Sequence, residues 1–422
     1  MIQALSAAIF LATIGTMIAR PRRIPEWLAA TLGALLLVAI GAESVGDALH
    51  IVIAQWNVLL FFAGLTIVVA IAESGGFFAW IAYGAAVIAH GSSERLFFGT
   101  IIAGTIITLF LTNDAAAIVM TPLVYILVRR LRLRAAPFAF VCTFIANGAS
   151  IALPISNPIN FIIADAAHLR LGGYVGLLWA PAVAGMIATM VALWATFRRD
   201  VGVQFDPALV RQPLDDPRYR GEVTGLIGMT AIGLVAVSAA GGPVGVCAAS
   251  AGVIMLAHGF LRRAIHWRRV AADMNPSIVV MVAALFVAVD GIRHAGLLNS
   301  AASLVVATAR LHPSLAGPLA ALMAATASNI FNNLPTALIA VGTLHVGAFP
   351  ASVARQFAAG SVVGCDLGPN LTTVGSLSTL MWLALLRQRG LEISTTQYLK
   401  VGVLIAPVAL AAAIAALWLA SR

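Results

Sequence analysis

The chain has 422 residues, of which 61% are hydrophobic and 10% charged, against a soluble average of about 25% charged. Its net charge of +9 would indicate nucleic-acid binding only if the basic residues formed a stripe with interleaved aromatics, and they do not. The composition excludes a soluble domain and predicts one all-α polytopic membrane domain of about 10 transmembrane helices.

Basic residues occur in short clusters between apolar runs, at 20–23, 129–134, 198–220, 262–269 and 387–389. Such clusters are typical of cytoplasmic loops. With every cluster in the cytoplasm, crossings are predicted near 2–19, 24–42, 51–72, 137–167, 177–197, 222–240, 243–260, 276–290, 350–387 and 396–420. The even number of crossings predicts a multi-pass protein of the inner membrane with both termini on the outer, periplasmic side.

Two apolar stretches, 95–128 and 313–343, are too long for one crossing of about 20 residues and carry polar residues halfway. Each must return to the side from which it starts, so we predict two re-entrant helical hairpins. Polar, helix-breaking residues also interrupt the spans 137–167 and 350–387. These two spans are therefore predicted to be broken transmembrane helices.

The two halves show the same order of elements. In each half, three spans are followed by a polar-tipped hairpin, a broken span and a last span. Because each half has an odd number of crossings, the second copy must be inverted, as in secondary transporters with a site near the bilayer midplane. We predict a first inverted repeat over 1–200, a cytoplasmic linker over 201–221 and a second repeat over 222–422.

Four polar breaks fall at membrane depth, at 112–114, 153–160, 329–336 and 366–376. Backbone in such a break must be buried in protein or line a wet cavity. Asparagine offers donors and an acceptor without a net charge to desolvate, which indicates a small or neutral cargo. A simpler interpretation is that these residues only tie helices together, but their symmetric positions favour binding. The predicted substrate-binding residues are Thr112, Asn113, Ser156, Asn157, Asn160, Asn332, Asn333, Thr336 and Asn370.

Two carboxylates lie inside the polar breaks, Asp114 and Asp366, and neither has a basic neighbour in the sequence. A carboxylate inside the membrane is costly and indicates an ion or proton path. We predict Asp114 as the first candidate for proton coupling and Asp366 as the second. Asp290 is instead expected to pair with Arg293 or His294.

No cofactor or metal site is indicated by a sequence motif. The histidines are scattered, without an HExxH motif or ligands paired at i and i+4, and no GxxxxGK[ST] phosphate loop is present. The three cysteines, Cys142, Cys247 and Cys365, lie on separate spans, so we interpret them as small hydrophobes rather than a thiolate site. Energy for transport is therefore expected from an ion gradient or from a partner.

Four stretches resemble the bacterial arsenite and antimonite efflux permeases (ArsB) of the ion transporter superfamily. They are LTNDAAAIVMTPLV (111–124), AFVCTFIANGASIALPISNPINFIIADAA (139–167), SNIFNNLPTALIAVG (328–342) and GCDLGPNLTTVGSLSTLMWL (364–383). The resemblance covers nearly the whole chain in matching order. It implies that neutral trihydroxy arsenite or antimonite is taken from the cytoplasm and expelled in exchange for protons by alternating access, sometimes with a cytoplasmic ATPase subunit. The superfamily's fold implies a rigid scaffold, through which a homodimer can form, and a mobile domain that carries the site.

One position departs from the family, because many members have lysine where this chain has Asn370. If that lysine pairs with the neighbouring aspartate, Asp366 lacks that partner here and its assignment as a titrating group is weaker. Two other function classes stay open. A sodium-coupled carrier or sodium/proton antiporter of the same superfamily would use amides and unwound carbonyls as ligands. An intramembrane enzyme is disfavoured, since no nucleophile and base motif or metal-ligand set is evident.

Overall fold

The structure is a computed structural model that describes residues 2–19, 24–210, 212, 216–264, 277–347 and 349–421. Within these ranges the chain forms 19 α-helices and short 3-10 turns, and no strand of a β-sheet. The all-α membrane fold predicted from composition is therefore confirmed. The basic cluster predicted at 20–23, and residues 265–269 of the cluster predicted at 262–269, lie outside the described residues.

The first half of the chain contains ten helices. Its first five are α1 (Ile2–Ala19), α2 (Glu26–Ala39), α3 (Val45–Ala54), α4 (Trp56–Ser74) and α5 (Phe77–Ile88). Then come the paired helices α6 (Ser93–Phe110) and α7 (Asn113–Arg130), the broken segment formed by α8 (Ala135–Ser150), a 3-10 turn (Pro154–Ser156) and α9 (Pro158–Ala166), and the long α10 (Leu171–Val201). The crossing predicted at 51–72 thus begins only at α4, because the chain turns at Gln55.

The second half repeats this order. It consists of α11 (Pro217–Ala240), α12 (Val244–Leu261), α13 (Ser277–His294), α14 (Asn299–Leu311), the pair α15 (Ala316–Phe331) and α16 (Asn333–Gly347), the broken segment of α17 (Ala351–Leu367), a 3-10 turn (Gly368–Leu371) and α18 (Leu377–Gln388), and finally α19 (Thr395–Ala420). The segment predicted as a linker, 201–221, runs from the end of α10 into the first turn of α11. Its last residues are helical because Asp216 caps α11 and a proline occupies the first helical position.

Proline and glycine account for both helix breaks. Pro154 and Pro158 follow the end of α8, and Gly368 and Pro369 follow the end of α17. Proline has no N–H to donate and its ring clashes with the preceding turn, so neither helix can continue through these positions. Each broken segment therefore brings unpaired backbone groups into the interior of the protein.

Eight of the described helices are long and apolar enough to cross a membrane, namely α1, α4, α6, α10, α11, α12, α15 with its preceding 3-10 turn, and α19. Large apolar side chains cover their outer faces, as Ile232 on α11 and Leu261 on α12 are 71% and 84% exposed. An exposed apolar surface of this kind needs lipid rather than water around it. The chain is a multi-pass membrane protein.

Equivalent helices of the two halves make equivalent contacts, and two of these contacts are exchanged between the halves. Helix α4 packs against α12 as α13 packs against α2, and α7 packs against α18 as α16 packs against α9. Within each half, α6 packs against α8 as α15 packs against α17. Helices α10 and α19 pack against each other. Such an exchange is what a two-fold relation between repeats produces, while the inverted orientation in the membrane and the re-entrance of the helix pairs stay predictions.

Helices α15 and α17 approach closely because glycines line their contact. Gly360 and Gly364 on α17, and Gly368 directly after it, lie four residues apart and face the backbone of α15. A Cβ atom on Gly364 would be only 2.3 Å from the carbonyl oxygen of Ala321. Small residues at this spacing let the backbones of membrane helices meet, and here they bring the end of α17 into the protein centre.

Candidate functional site

The two helix breaks meet the turns of the two helix pairs inside the protein. We call the turn between α6 and α7 the first tip and the turn between α15 and α16 the second tip. All predicted substrate-binding residues are buried, and the largest exposed fraction among them is 8%, at Asn332. The side chain of Asp114 lies outside the described residues.

Two amides hold the carboxylate of Asp366 near the end of α17. Asn157 Nδ2 donates to Asp366 Oδ1 at 2.6 Å, and Asn160 Nδ2 donates to Asp366 Oδ2 at 2.7 Å. Asp366 is only 1% exposed, and no lysine, arginine or histidine in the described part of the chain forms an ion pair with it. Neutral donors thus take the place of the cation that a buried carboxylate usually requires.

The start of α9 is built around these amides. Asn157 caps the helix, since its Oδ1 accepts from the backbone N–H of Ile159 at 3.2 Å while its Nδ2 donates to Asp366. Asn160 follows in the first turn and also donates to the carbonyl oxygen of Ser150 at 3.0 Å. The carboxylate therefore lies at the N-terminal end of α9, where the helix dipole is positive. Asn160 Oδ1 is buried without a hydrogen-bond partner in the structure.

A chain of asparagine amides joins the first tip to the second break. Asn113 Nδ2 donates to Asn147 Oδ1 at 3.5 Å, and Asn147 Nδ2 donates to Asn370 Oδ1 at 2.8 Å. Asn370 Nδ2 in turn lies 3.5 Å from the carbonyl oxygen of Phe144. Sequence reasoning missed Asn147, whose only signal is that it is the single asparagine of a mostly apolar helix.

The second tip pairs with the backbone of the second break. Asn333 donates its backbone N–H to the carbonyl oxygen of Gly375 at 2.9 Å, and Asn332 Nδ2 donates to that of Val374 at 3.1 Å. Asn332 adopts φ +77° and ψ 157°, a conformation that only glycine enters easily. Further bonds join Asn329 to Gly368 and Thr372, at 2.8 Å each. The tip thereby satisfies carbonyl groups that the broken helix leaves unpaired.

Two of the predicted hydroxyls are committed to the backbone. Ser156 Oγ donates to the carbonyl oxygen of Leu109 at 3.1 Å, and Thr336 Oγ1 donates to that of Asn332 at 2.8 Å. Each hydroxyl keeps only its acceptor capacity for a cargo. Thr112 is buried in the first tip itself. These side chains hold the tips and breaks in place around the amides.

The arrangement can bind an uncharged solute through hydrogen bonds. It combines one carboxylate, several amides and the ends of broken helices, and none of the described contacts of Asp366 or of the amides involves a basic side chain. An anionic cargo would therefore meet a carboxylate without a compensating charge. The described cysteines are free, and Cys142 and Cys365 are buried on separate helices.

The chain is similar to arsenical pump membrane proteins over nearly its whole length. The profile of the family described as "Arsenical pump membrane protein" (ArsB) matches residues 5–420. The arsenical pump membrane protein of Escherichia coli K12 is 30% identical over 410 residues, covering 95% of each chain, and that of Yersinia enterocolitica is 29% identical over 409 residues, also covering 95% of each.

A solved structure also resembles this fold. The YdaH transporter of Alcanivorax borkumensis superposes with a TM-score of 0.54 at 16% identity, covering 92% of this chain and 88% of that chain. At this identity the likeness concerns the fold alone. The relatives are membrane pumps and transporters, so the chain is a transporter and not an enzyme.

Proposed function

Because the chain belongs to the arsenical pump membrane protein family, we propose that it expels arsenite and antimonite from the cytoplasm across the inner membrane in exchange for protons. Membership of this family supports arsenical efflux as the general function of the chain. The observation that carries the finer proposal is the buried Asp366 carboxylate, which the amides of Asn157 and Asn160 hold. The cytoplasmic ATPase subunit, the homodimer and the periplasmic position of both termini stay predictions.

The cargo is proposed to bind as the neutral trihydroxy species. Each hydroxyl can donate one hydrogen bond and accept others, so it matches a site of amides and one carboxylate. Asp366 and the unpartnered Asn160 Oδ1 are acceptors for cargo hydroxyls, while the amide N–H groups are donors. A neutral solute needs no buried counter-charge, which agrees with the absence of a basic partner in the described contacts of Asp366.

Exchange requires that cargo and proton exclude each other, and one carboxylate can supply this. An ionised Asp366 accepts hydrogen bonds at both oxygens, whereas a protonated one turns one oxygen into a donor. A cargo hydroxyl and the Asn157 and Asn160 amides all donate, so they suit only the ionised form. A proton that arrives from the outer side would thus displace the cargo, and its loss to the cytoplasm would restore the site.

Alternating access would use the two tips. The second tip contacts its break through hydrogen bonds of 2.9 and 3.1 Å, and the Asn113 amide of the first tip lies 3.5 Å from Asn147 Oδ1. Movement of either tip away from these contacts would open the amides and Asp366 to one side of the membrane. Asp366 becomes the first candidate for coupling by its position, and Asp114 stays a candidate by sequence.

The test is arsenite uptake into everted vesicles under an imposed pH gradient, with and without sodium. We expect Asp366→Asn to abolish uptake driven by the gradient, while Asp200→Asn, which removes an ion pair with Arg134 near the end of α10, retains it. Full activity of Asp366→Asn together with loss in Asp114→Asn would move the coupling role to Asp114. Uptake that requires sodium and ignores the pH gradient would favour the sodium-coupled alternative, and no uptake by correctly inserted protein would remove the substrate claim.

A further inference from the structure

We propose that Glu43, Asp290 and His294 form a binding site for a divalent transition-metal ion such as Zn²⁺, separate from the transport site. Glu43 lies in the turn between α2 and α3, and Asp290 and His294 lie one turn apart at the end of α13. One ligand atom from each of the three side chains lies within 4.8 Å of the other two. Imidazole and carboxylate ligands in this number are the set of an open zinc site.

The distances between the ligand atoms fit a metal ion. His294 Nδ1 lies 2.9 Å from Glu43 Oε2 and 3.6 Å from Asp290 Oδ2. Around a tetrahedral ion with bonds of about 2.0–2.2 Å, neighbouring donor atoms are about 3.3–3.6 Å apart. The separation between His294 and Asp290 lies at the upper end of this range and that between His294 and Glu43 lies below it, so a shift of a few tenths of an ångström would admit the ion.

An unpartnered buried oxygen points to an occupant. The Glu43 side chain has 0% exposure, and its Oε1 atom has no hydrogen-bond partner in the structure. Burial raises the pKa of the Glu43 carboxyl, while the hydrogen bond with His294 opposes that shift. A buried hydrogen-bond acceptor that has no donor costs free energy of folding. A cation between the three ligands would satisfy this oxygen.

Arg293 is compatible with the site but must move slightly. Its Nε donates to Asp290 Oδ1 at 2.6 Å, which leaves Asp290 Oδ2 available and supports the carboxylate from outside. Its Nη2 lies 3.1 Å from His294 Nε2, so in this arrangement His294 carries its hydrogen on Nδ1, toward Glu43. Metal at Nδ1 requires that hydrogen to leave and Arg293 to turn away from Nε2. Its side chain is 30% exposed and has room to do so.

The site would join the two halves of the protein. Glu43 belongs to the first half and the other two ligands to the second, at an end where α2 packs against α13. The His294 side chain is 41% exposed, which gives the ion a path from the surface. A bound ion would therefore stabilise the folded protein by linking the turn after α2 to α13, whatever the transported cargo is.

A second cluster of the same residue types provides a control. Glu222 on α11 lies 3.1 Å from His258 Nε2, but Arg262 binds both of its carboxylate oxygens, at 2.7 and 2.9 Å. Among the described residues no second carboxylate joins this group. It is an ion pair with a histidine, and its removal should not affect metal binding.

The experiment is a calorimetric Zn²⁺ titration of the purified, metal-free full-length protein, together with thermal unfolding with and without Zn²⁺. We expect one ion per chain and a higher unfolding midpoint. Glu43→Gln and His294→Gln should each lower the affinity by at least about tenfold and remove the rise in midpoint. Glu222→Gln should bind Zn²⁺ with the affinity of the unchanged protein. The unfolding midpoint of each variant without metal checks that the variant is folded.

Two results would overturn the proposal. One is the absence of stoichiometric Zn²⁺ binding. If Glu43→Gln then has a higher unfolding midpoint than the unchanged protein without metal, the result would indicate that a proton satisfies Glu43 Oε1. The other is binding that Glu43→Gln and His294→Gln leave unchanged, which would place the ion on scattered surface histidines.

Discussion

Replacing Gly364 by alanine tests how closely α17 must approach α15 for the site to form. The added Cβ would lie 2.3 Å from the Ala321 carbonyl oxygen and 2.7 Å from the Ala324 Cβ. Carbon to oxygen contacts are normally no shorter than about 3.3 Å. The two helices must therefore separate locally by about 1 Å to accommodate a single methyl group.

The separation would reach the site because Gly364 lies two residues before Asp366. The hydrogen bonds of 2.6 and 2.7 Å to Asn157 and Asn160 would lengthen beyond their useful range. Overpacking alone costs about 1–3 kcal/mol. Hydrogen bonds to a charged group contribute about 1.5–3 kcal/mol each, part of which is also lost. We expect a lower free energy of unfolding and a loss of arsenite transport that accompanies it.

The assay is denaturant unfolding in detergent combined with arsenite uptake in everted vesicles. The matched control is Gly176→Ala on α10, where no atom lies within 4 Å of the new Cβ. This control should be neutral or up to about 1 kcal/mol more stable, because alanine favours a helix. A Gly364→Ala variant as stable and as active as the unchanged protein would refute the close-approach argument.

Two further predictions concern asparagines of the interior. Asn332 adopts a backbone conformation that costs a residue other than glycine about 1–3 kcal/mol. Asn332→Gly and Asn332→Ala both lose the hydrogen bond to Val374, but only alanine keeps the strain, so Asn332→Gly should unfold at a higher temperature than Asn332→Ala. Equal losses would show that the strain is absent. Asn147→Ala leaves Asn370 Oδ1 without its donor and should cost about 1–3 kcal/mol of unfolding free energy. A double-mutant cycle with Asn370→Ala should give a coupling energy of about 0.5 kcal/mol or more, and a coupling near zero would contradict the bond.

Much of the architecture could be predicted from local pattern. Apolar runs between arginine clusters predict the membrane spans. An apolar segment in lipid must pair its backbone groups internally, which a helix does. The broken segments were predictable for a similar reason, since Pro154, Pro158 and Pro369 remove backbone donors in the middle of apolar runs. The pairing of Asp290 with Arg293 and His294 was also expected, because these residues lie one turn apart on the same helix.

The partners within the candidate site could not be predicted in this way. The sequence indicated Asp114 and Asp366 as candidates for coupling, but it could not show that Asp366 lies between two amides more than 200 residues away. Asn147 was missed, since a lone asparagine in an apolar helix is normally only a contact between helices.

What the sequence alone determined is which segments can enter a membrane and where each of them must break, because helix propensity, hydropathy and backbone pairing act over a few turns. The tertiary structure decided which breaks, tips and charged groups meet. Those contacts depend on distances of closest approach between helices, such as that at Gly364, and on exchanged packing between the halves. Glu43 and His294, 251 residues apart, come within 2.9 Å only through that packing.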